Sequence, residues 1–242
     1  MLAQVFGEKH LFGSGLIFVL VIGFLWWLKP SQNITRQQKN LLYLFTILFL
    51  GVEIIRLFFL IQRDGGLAIY QLPLNLCSVP LYLYPSLSIG NQYPWVKKWL
   101  MPAAFSTVML AGLIALLIPS NILGVSNSWF PLSENYVEIA SFSYHGLMML
   151  APLALIKVRF YQPSIQDIPY ALGFTGIFAI IAMIVNHFTN QDFLLLNYGT
   201  GSPFRFLIST SKLLYQFVMI TLGAFLISLF FVVGKPQNKK SA

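Results

Sequence analysis

Apolar positions run along this chain in long blocks divided by short polar interruptions, without the alternation of a half-buried strand. Blocks of about 18 or more apolar residues predict helices that cross a membrane. Seven are expected, at Leu11–Leu28, Asn40–Ile61, Ala68–Ile89, Trp99–Ile118, Val137–Val158, Ile168–His187 and Thr210–Val233. The fold class is therefore all-α, a polytopic transmembrane helical bundle of about seven spans. It forms a single integral membrane domain over residues 1–242. No small-residue cleavage site follows the first block, which is expected to stay as an anchor.

The third block is the irregular one. Pro73, Pro80 and Pro85 interrupt it, and Asn75, Cys77 and Ser78 lie between the first two. Lipid supplies no hydrogen bonds, so a broken polar stretch at membrane depth is expected to face protein or a wet cavity. Proline has no N–H, so Pro80 leaves the Leu76 carbonyl without its helical donor. With Pro73 at the first helical position, Cys77 would sit one turn inside a helix, where the helix dipole favours a thiolate.

Composition agrees with the pattern. The chain is 57% hydrophobic and 9% charged, with mean hydropathy +0.74, whereas soluble domains carry about 25% charged residues. The net charge of +8 reflects short basic loops that set topology and meet anionic lipid, not a nucleic-acid surface. Lys29, Arg36, Lys39, Lys97, Lys98, Lys157, Arg159, Lys235, Lys239 and Lys240 fall on one side, against Lys9, Arg63 and Arg205 on the other. The bias puts the N-terminus outside, the C-terminus in the cytoplasm and both long loops outside, in the cell membrane. One cysteine excludes an internal disulfide and a cysteine-based zinc site. Three scattered histidines give no metal signature, and no cofactor motif is present. Membrane lipids are the expected partners.

Chemistry is expected in the outer half of the bilayer. At the helical rise, Cys77 lies roughly 13 Å, His145 roughly 12 Å, Glu53 roughly 12 Å and Arg56 roughly 8 Å below the outer surface. Glu53 and Arg56 share a helix face, and charges inside a span are costly and usually functional. Each has a plainer use: Cys77 as a packing residue, Glu53–Arg56 as a self-neutralising pair, and His145 as an interhelical hydrogen-bonding group.

Four short blocks resemble one known family. Leu72-Pro73-Leu74-Asn75-Leu76-Cys77-Ser78 resembles the Leu-Pro-Leu-His-Leu-Cys signature of the YwaF-like integral membrane proteins. Ala111–Pro119 resembles their fourth span, Ser143-Tyr144-His145-Gly146 their His-Gly span, and Asn197-Tyr198 with Pro203 their Asn-Tyr loop. The chain departs from the signature at Asn75, where the family has histidine. That family includes an animal acyltransferase that makes polyunsaturated ether phospholipids. The resemblance implies acyl transfer through a cysteine thioester, with Cys77 as nucleophile and His145 as base.

The leading expectation is a lipid acyltransferase or related thiol hydrolase. In it Glu53 orients His145, Arg56 contacts the lipid phosphate, and Asn75 and Asn197 donate to the oxyanion. Tyr198 belongs to the same substrate-binding set through the Asn-Tyr loop. Two other classes fit the same residues: a small-solute transporter or permease, since broken helices and intramembrane charges suit it, and a non-catalytic membrane scaffold. A transporter or scaffold tolerates loss of the Cys77 thiol, whereas a thiol enzyme does not.

Overall fold

The computed structural model describes residues 7–118, 128–131 and 135–233. Seven α-helices are present among them: α1 (Glu8–Trp27), α2 (Ile34–Asp64), α3 (Pro80–Gly90), α4 (Pro94–Leu117), α5 (Tyr136–Lys157), α6 (Ile168–Thr189) and α7 (Lys212–Val233). All but α3 are long and apolar enough to cross a bilayer. The expected closing proline, Pro119, most of the 120–136 loop and the basic tail with Lys235, Lys239 and Lys240 lie outside the described residues.

Side-chain contacts fix how the helices alternate. At the outer end, α1 tucks its polar first turn under the last turn of α4. His10 Nε2 and Ser14 Oγ each donate to the Leu116 carbonyl at 2.8 Å, which satisfies a carbonyl that a helix end leaves without a donor. Lys9 is buried there between Asn135 Oδ1 at 2.6 Å and Glu138 at 3.7 Å, at the start of α5. At the inner end, Lys157 donates to the Leu25 carbonyl near the end of α1, and Lys97 and Lys98 lie over the rings of Phe160 and Tyr170. Trp26 and Trp27 stand exposed on that side, as interfacial aromatics do.

The centre is α4. Of its most apolar stretch 72% is buried, against 11% for α7, and it packs on α3, α5, α6 and α7. Single hydroxyl pairs tie helices where lipid offers no alternative partner: Thr46 with Ser88 at 2.6 Å between α2 and α3, and Thr107 with Thr175 at 2.8 Å between α4 and α6. The apolar side chains left exposed on α1, α6 and α7 form a lipid-facing surface.

The third crossing differs from a kinked helix. Gly65, in the left-handed region at φ 75°, ends α2, and the chain re-enters through two 3-10 turns, Ile69–Gln71 and Leu76–Ser78, before α3 begins at Pro80. Pro80 occupies the first turn, where a missing N–H costs nothing. Cys77 therefore precedes α3 and does not lie one turn inside a helix begun by Pro73. Its depth also does not follow from helical rise, because Ala68–Val79 is not α-helical. Nor is the Leu76 carbonyl free: Val79 N donates to it at 3.3 Å. The broken stretch finds its other partners locally, as when Tyr82 Oη donates to the Pro73 carbonyl at 2.9 Å.

A hood of non-helical chain caps the outer side between α6 and α7. Asp192 organises it by accepting from the backbone N–H groups of Asn197 at 2.8 Å, Tyr198 at 2.9 Å and Thr200 at 2.8 Å. Asn186 clasps Phe193 through both its N–H and its carbonyl. Tyr215 and Gln216 of α7 donate to the carbonyls of Leu195 and Leu196.

Candidate functional site

Three elements converge on one level in the outer half: α2, the Leu76–Ser78 turn and α5. On α2, Phe49, Glu53 and Arg56 recur at helical spacing and share a face. Arg56 forks onto Glu53, Nε to Oε2 at 2.8 Å and Nη2 to Oε1 at 2.6 Å. The two side chains retain 27% and 14% exposure. Cys77, half-buried and the chain's single thiol, lies within electrostatic reach of both charges, and so does Tyr144 of α5.

Tyr144 is placed by aromatic packing. Its ring meets Phe49 edge-on at 5.4 Å, and Phe49 packs on Tyr84 of α3 at 4.8 Å. Helical side chains lean toward the N-terminus of their own helix. α5 runs inward, as the contact of its first residue, Tyr136, with Phe59 near the outer end of α2 requires. Tyr144 thus leans outward from Phe49 toward Glu53 and Arg56. Its hydroxyl and that of Tyr84 are the buried side-chain polar atoms without a hydrogen-bond partner among the described residues.

His145 does not join Cys77 as the sequence led one to expect. No hydrogen bond links the thiol and the imidazole; Nδ1 donates instead to the Ser141 carbonyl at 2.7 Å, one turn back. The physical reason is rotation about α5. Successive residues stand about 100° apart at 3.6 residues per turn, so with Tyr144 facing α2, His145 turns toward another neighbour. Nor is Glu53 hydrogen-bonded to the imidazole; its oxygens accept from Arg56.

The remaining candidates are divided between the site and the hood. Asn75 reaches both: its Oδ1 accepts from Leu194 N at 3.4 Å. Asn197 belongs to the hood, its amide donating to the Gln191 carbonyl at 2.7 Å and its carbonyl accepting from Lys212. One of its two amide N–H groups is thus used within the hood, and no bond ties the other to the Cys77 turn. Tyr198 is exposed, bonded to Asn190 and set above the hood's Asp192 turn. No group of three His, Cys, Asp or Glu side chains capable of holding a metal occurs among the described residues.

Sequence reasoning missed Tyr144 and the groove beside it. A groove with a cavity volume of ≈ 370 Å³ runs between α2 and α5, lined by Val52, Ile55, Arg56, Phe59, Ala140 and Ser143. Tyr144 sits beside the titratable His145, and hydropathy treats a tyrosine in a span as an ordinary core residue. What separates it from Tyr84, which packs on the same Phe49 ring, is its reach to the Glu53–Arg56 pair.

The arrangement is a thiol next to a neutralised charge pair and an unpartnered hydroxyl, beside an apolar groove. Such a site can form a covalent bond to an electrophile that arrives from the bilayer. Comparison with known proteins adds one match: the model of the TMEM164 family covers residues 5–234. No curated protein and no solved structure matches the chain.

Proposed function

This chain belongs to the TMEM164 family, and we propose that it acts in the cell membrane as a lipid acyltransferase, or related thiol hydrolase, through a thioester on Cys77. The observation that supports the reading is that Cys77 lies within electrostatic reach of the Glu53–Arg56 pair, with Arg56 also lining the groove between α2 and α5. A phospholipid can lay an acyl chain along that apolar groove while its phosphate meets the Arg56 guanidinium. The YwaF-like signature around Cys77 supports the same chemistry. A site in the outer half favours a phospholipid over acyl-CoA as donor.

The reaction divides in two. The Cys77 sulfur forms a bond to the ester carbonyl carbon, and the carbon–oxygen bond to glycerol breaks. The thiol proton ends on the departing lysolipid oxygen. An acceptor hydroxyl, or water, then attacks the thioester, and its proton returns to sulfur. His145 is assigned the proton transfer on the family resemblance. With Nδ1 donating to Ser141, Nε2 is the basic nitrogen, and the role requires the imidazole to move toward the thiol when substrate binds.

A lipid-like thiol probe applied to membranes tests this. An adduct on Cys77 that is lost in His145→Ala supports the pair, and labelling unchanged by that substitution removes His145 from the mechanism. Lipidomics of a deletion strain identifies the substrate. The broken third crossing and its neighbouring charge pair also favour a second reading, a small-solute permease. Uptake that survives Cys77→Ala, with no acyl transfer by the parent protein, selects the permease.

A further inference from the structure

Two tyrosine hydroxyls are buried without a hydrogen-bond partner among the described residues, Tyr84 and Tyr144, and they flank the same ring, Phe49. Buried polar groups are almost always paired, and an orphan is costly, so each asks for an explanation. Their surroundings differ. Tyr84 is wholly buried, and no charged group among the described residues acts on it. Tyr144 stands on α5 with its hydroxyl leaning toward the level of Glu53, Arg56 and Cys77. No hydrogen bond joins it to Glu53, whose two carboxylate oxygens accept from the Arg56 fork. A buried hydroxyl donor within electrostatic reach of the thiol and left unbonded by the described residues can stabilise negative charge that develops on a group bonded there.

We infer that Tyr144 is a catalytic residue whose hydroxyl donates to the carbonyl oxygen of the acyl group that Cys77 attacks. This rests on the proposed thioester reading and adds the group that binds the oxyanion. As the C–S bond forms, the carbonyl π electrons move to oxygen, and the Tyr144 O–H hydrogen bond shortens onto that charge. When the C–O bond to glycerol breaks, the carbonyl returns and the hydrogen bond relaxes. Tyr144 keeps its proton throughout. It acts from α5, whereas the Asn197 amide is anchored in the hood on the Gln191 carbonyl.

The test uses the full-length protein in phosphatidylcholine vesicles radiolabelled in the acyl chain, with lysophosphatidylcholine as acceptor. Tyr144→Phe keeps the ring on Phe49 and removes only the oxygen. Acyl transfer is expected to fall about 10²–10³-fold in kcat with KM nearly unchanged, as for loss of one oxyanion donor. Tyr84→Phe, which removes the other orphan, is expected to transfer at the parent rate. Iodoacetamide alkylation of Cys77, a substitution that develops no oxyanion, is expected to proceed equally in parent and Tyr144→Phe. Unchanged acyl transfer in Tyr144→Phe, with transfer abolished in Cys77→Ser, overturns the role of Tyr144 and leaves the thioester reading standing. An equal loss of alkylation and transfer shows that Tyr144 only shapes the thiol's surroundings, and also overturns it. Transfer that persists in Cys77→Ser, or is absent from the parent protein, sinks the thioester reading and this inference together.

Discussion

Arg56 and Glu53, one turn apart on α2, form a two-pronged ion pair in which both carboxylate oxygens are occupied. In a span this pairing decides what either residue can do alone. Removing one partner from a buried pair leaves an uncompensated charge, at a cost of about 3 kcal/mol, whereas replacing both with apolar residues is often neutral. Glu53→Ala and Arg56→Ala are each expected to lose roughly that much stability. The double variant Glu53→Leu/Arg56→Leu should recover most of it. Unfolding in detergent micelles, arranged as a double-mutant cycle, measures the coupling. Acyl transfer should stay low in the double variant even where the fold recovers, because the cation proposed to meet lipid phosphate is gone.

The groove between α2 and α5 gives a second expectation. Ala140 and Ser143 line it from α5 opposite Val52 and Ile55, and Ser143 is exposed. Ser143→Trp fills the groove without entering the core, so its effect on stability should stay within about 0.5 kcal/mol, as for most surface changes. Labelling of Cys77 by a long-chain lipid probe should drop sharply, while labelling by small iodoacetamide should continue. Equal labelling by the long-chain probe would show that lipid reaches the thiol by another path.

The spans were legible because their information is local. Long apolar runs specify helices in lipid wherever they occur, so the expected Trp99–Ile118 and Val137–Val158 became α4, Pro94–Leu117, and α5, Tyr136–Lys157. The break at Pro73 and Pro80 was legible for the same reason, but its form was not. Whether Pro80 kinks a helix or starts one depends on the partners of the preceding carbonyls, which hydropathy does not report: the Pro73 carbonyl is met by Tyr82. The site was half legible. Glu53, Arg56 and Cys77 drew attention as polar groups in apolar runs, and they do converge. Tyr144 and His145 could not be told apart by depth, since adjacent residues differ by about 1.5 Å in rise. What separates them is azimuth around α5, set by packing against Phe49 and α4.

Close packing of α5 yields a prediction that discriminates between two glycines. A Cβ on Gly112 of α4 would stand 2.9 Å from Met148 Cβ and 3.0 Å from the His145 carbonyl oxygen. A Cβ on Gly146 would meet the Ile17 side chain, Cγ2 at 2.9 Å. Backbone cannot yield as a side chain can, so Gly112→Ala should cost about 1–3 kcal/mol, the range for overpacking, and Gly146→Ala less. Thermal denaturation of the two variants in one detergent checks the order. Because the α4–α5 contact carries His145, Gly112→Ala should also lower the rate of proton transfer from Cys77, read as slower thiol labelling at constant pH.

Asp192 provides the last test, and it separates the hood from the site beneath. Its carboxylate accepts from three backbone N–H groups, those of Asn197, Tyr198 and Thr200, and hydrogen bonds to a charged acceptor are worth about 1.5–3 kcal/mol each. Asp192→Ala strands all three donors, whereas Asp192→Asn keeps one acceptor oxygen. Hydrogen exchange at the amides of Asn197, Tyr198 and Thr200 should therefore accelerate strongly in Asp192→Ala and partly in Asp192→Asn, while amides within α4 keep their protection. The hood touches the Cys77 turn through Leu194 and Asn75. A loosened hood should thus let water reach the thioester, turning transfer to an acceptor lipid toward hydrolysis. The ratio of released fatty acid to transferred acyl chain reads that out. A ratio unchanged in Asp192→Ala, with exchange accelerated, would mean that the hood does not guard the thiol.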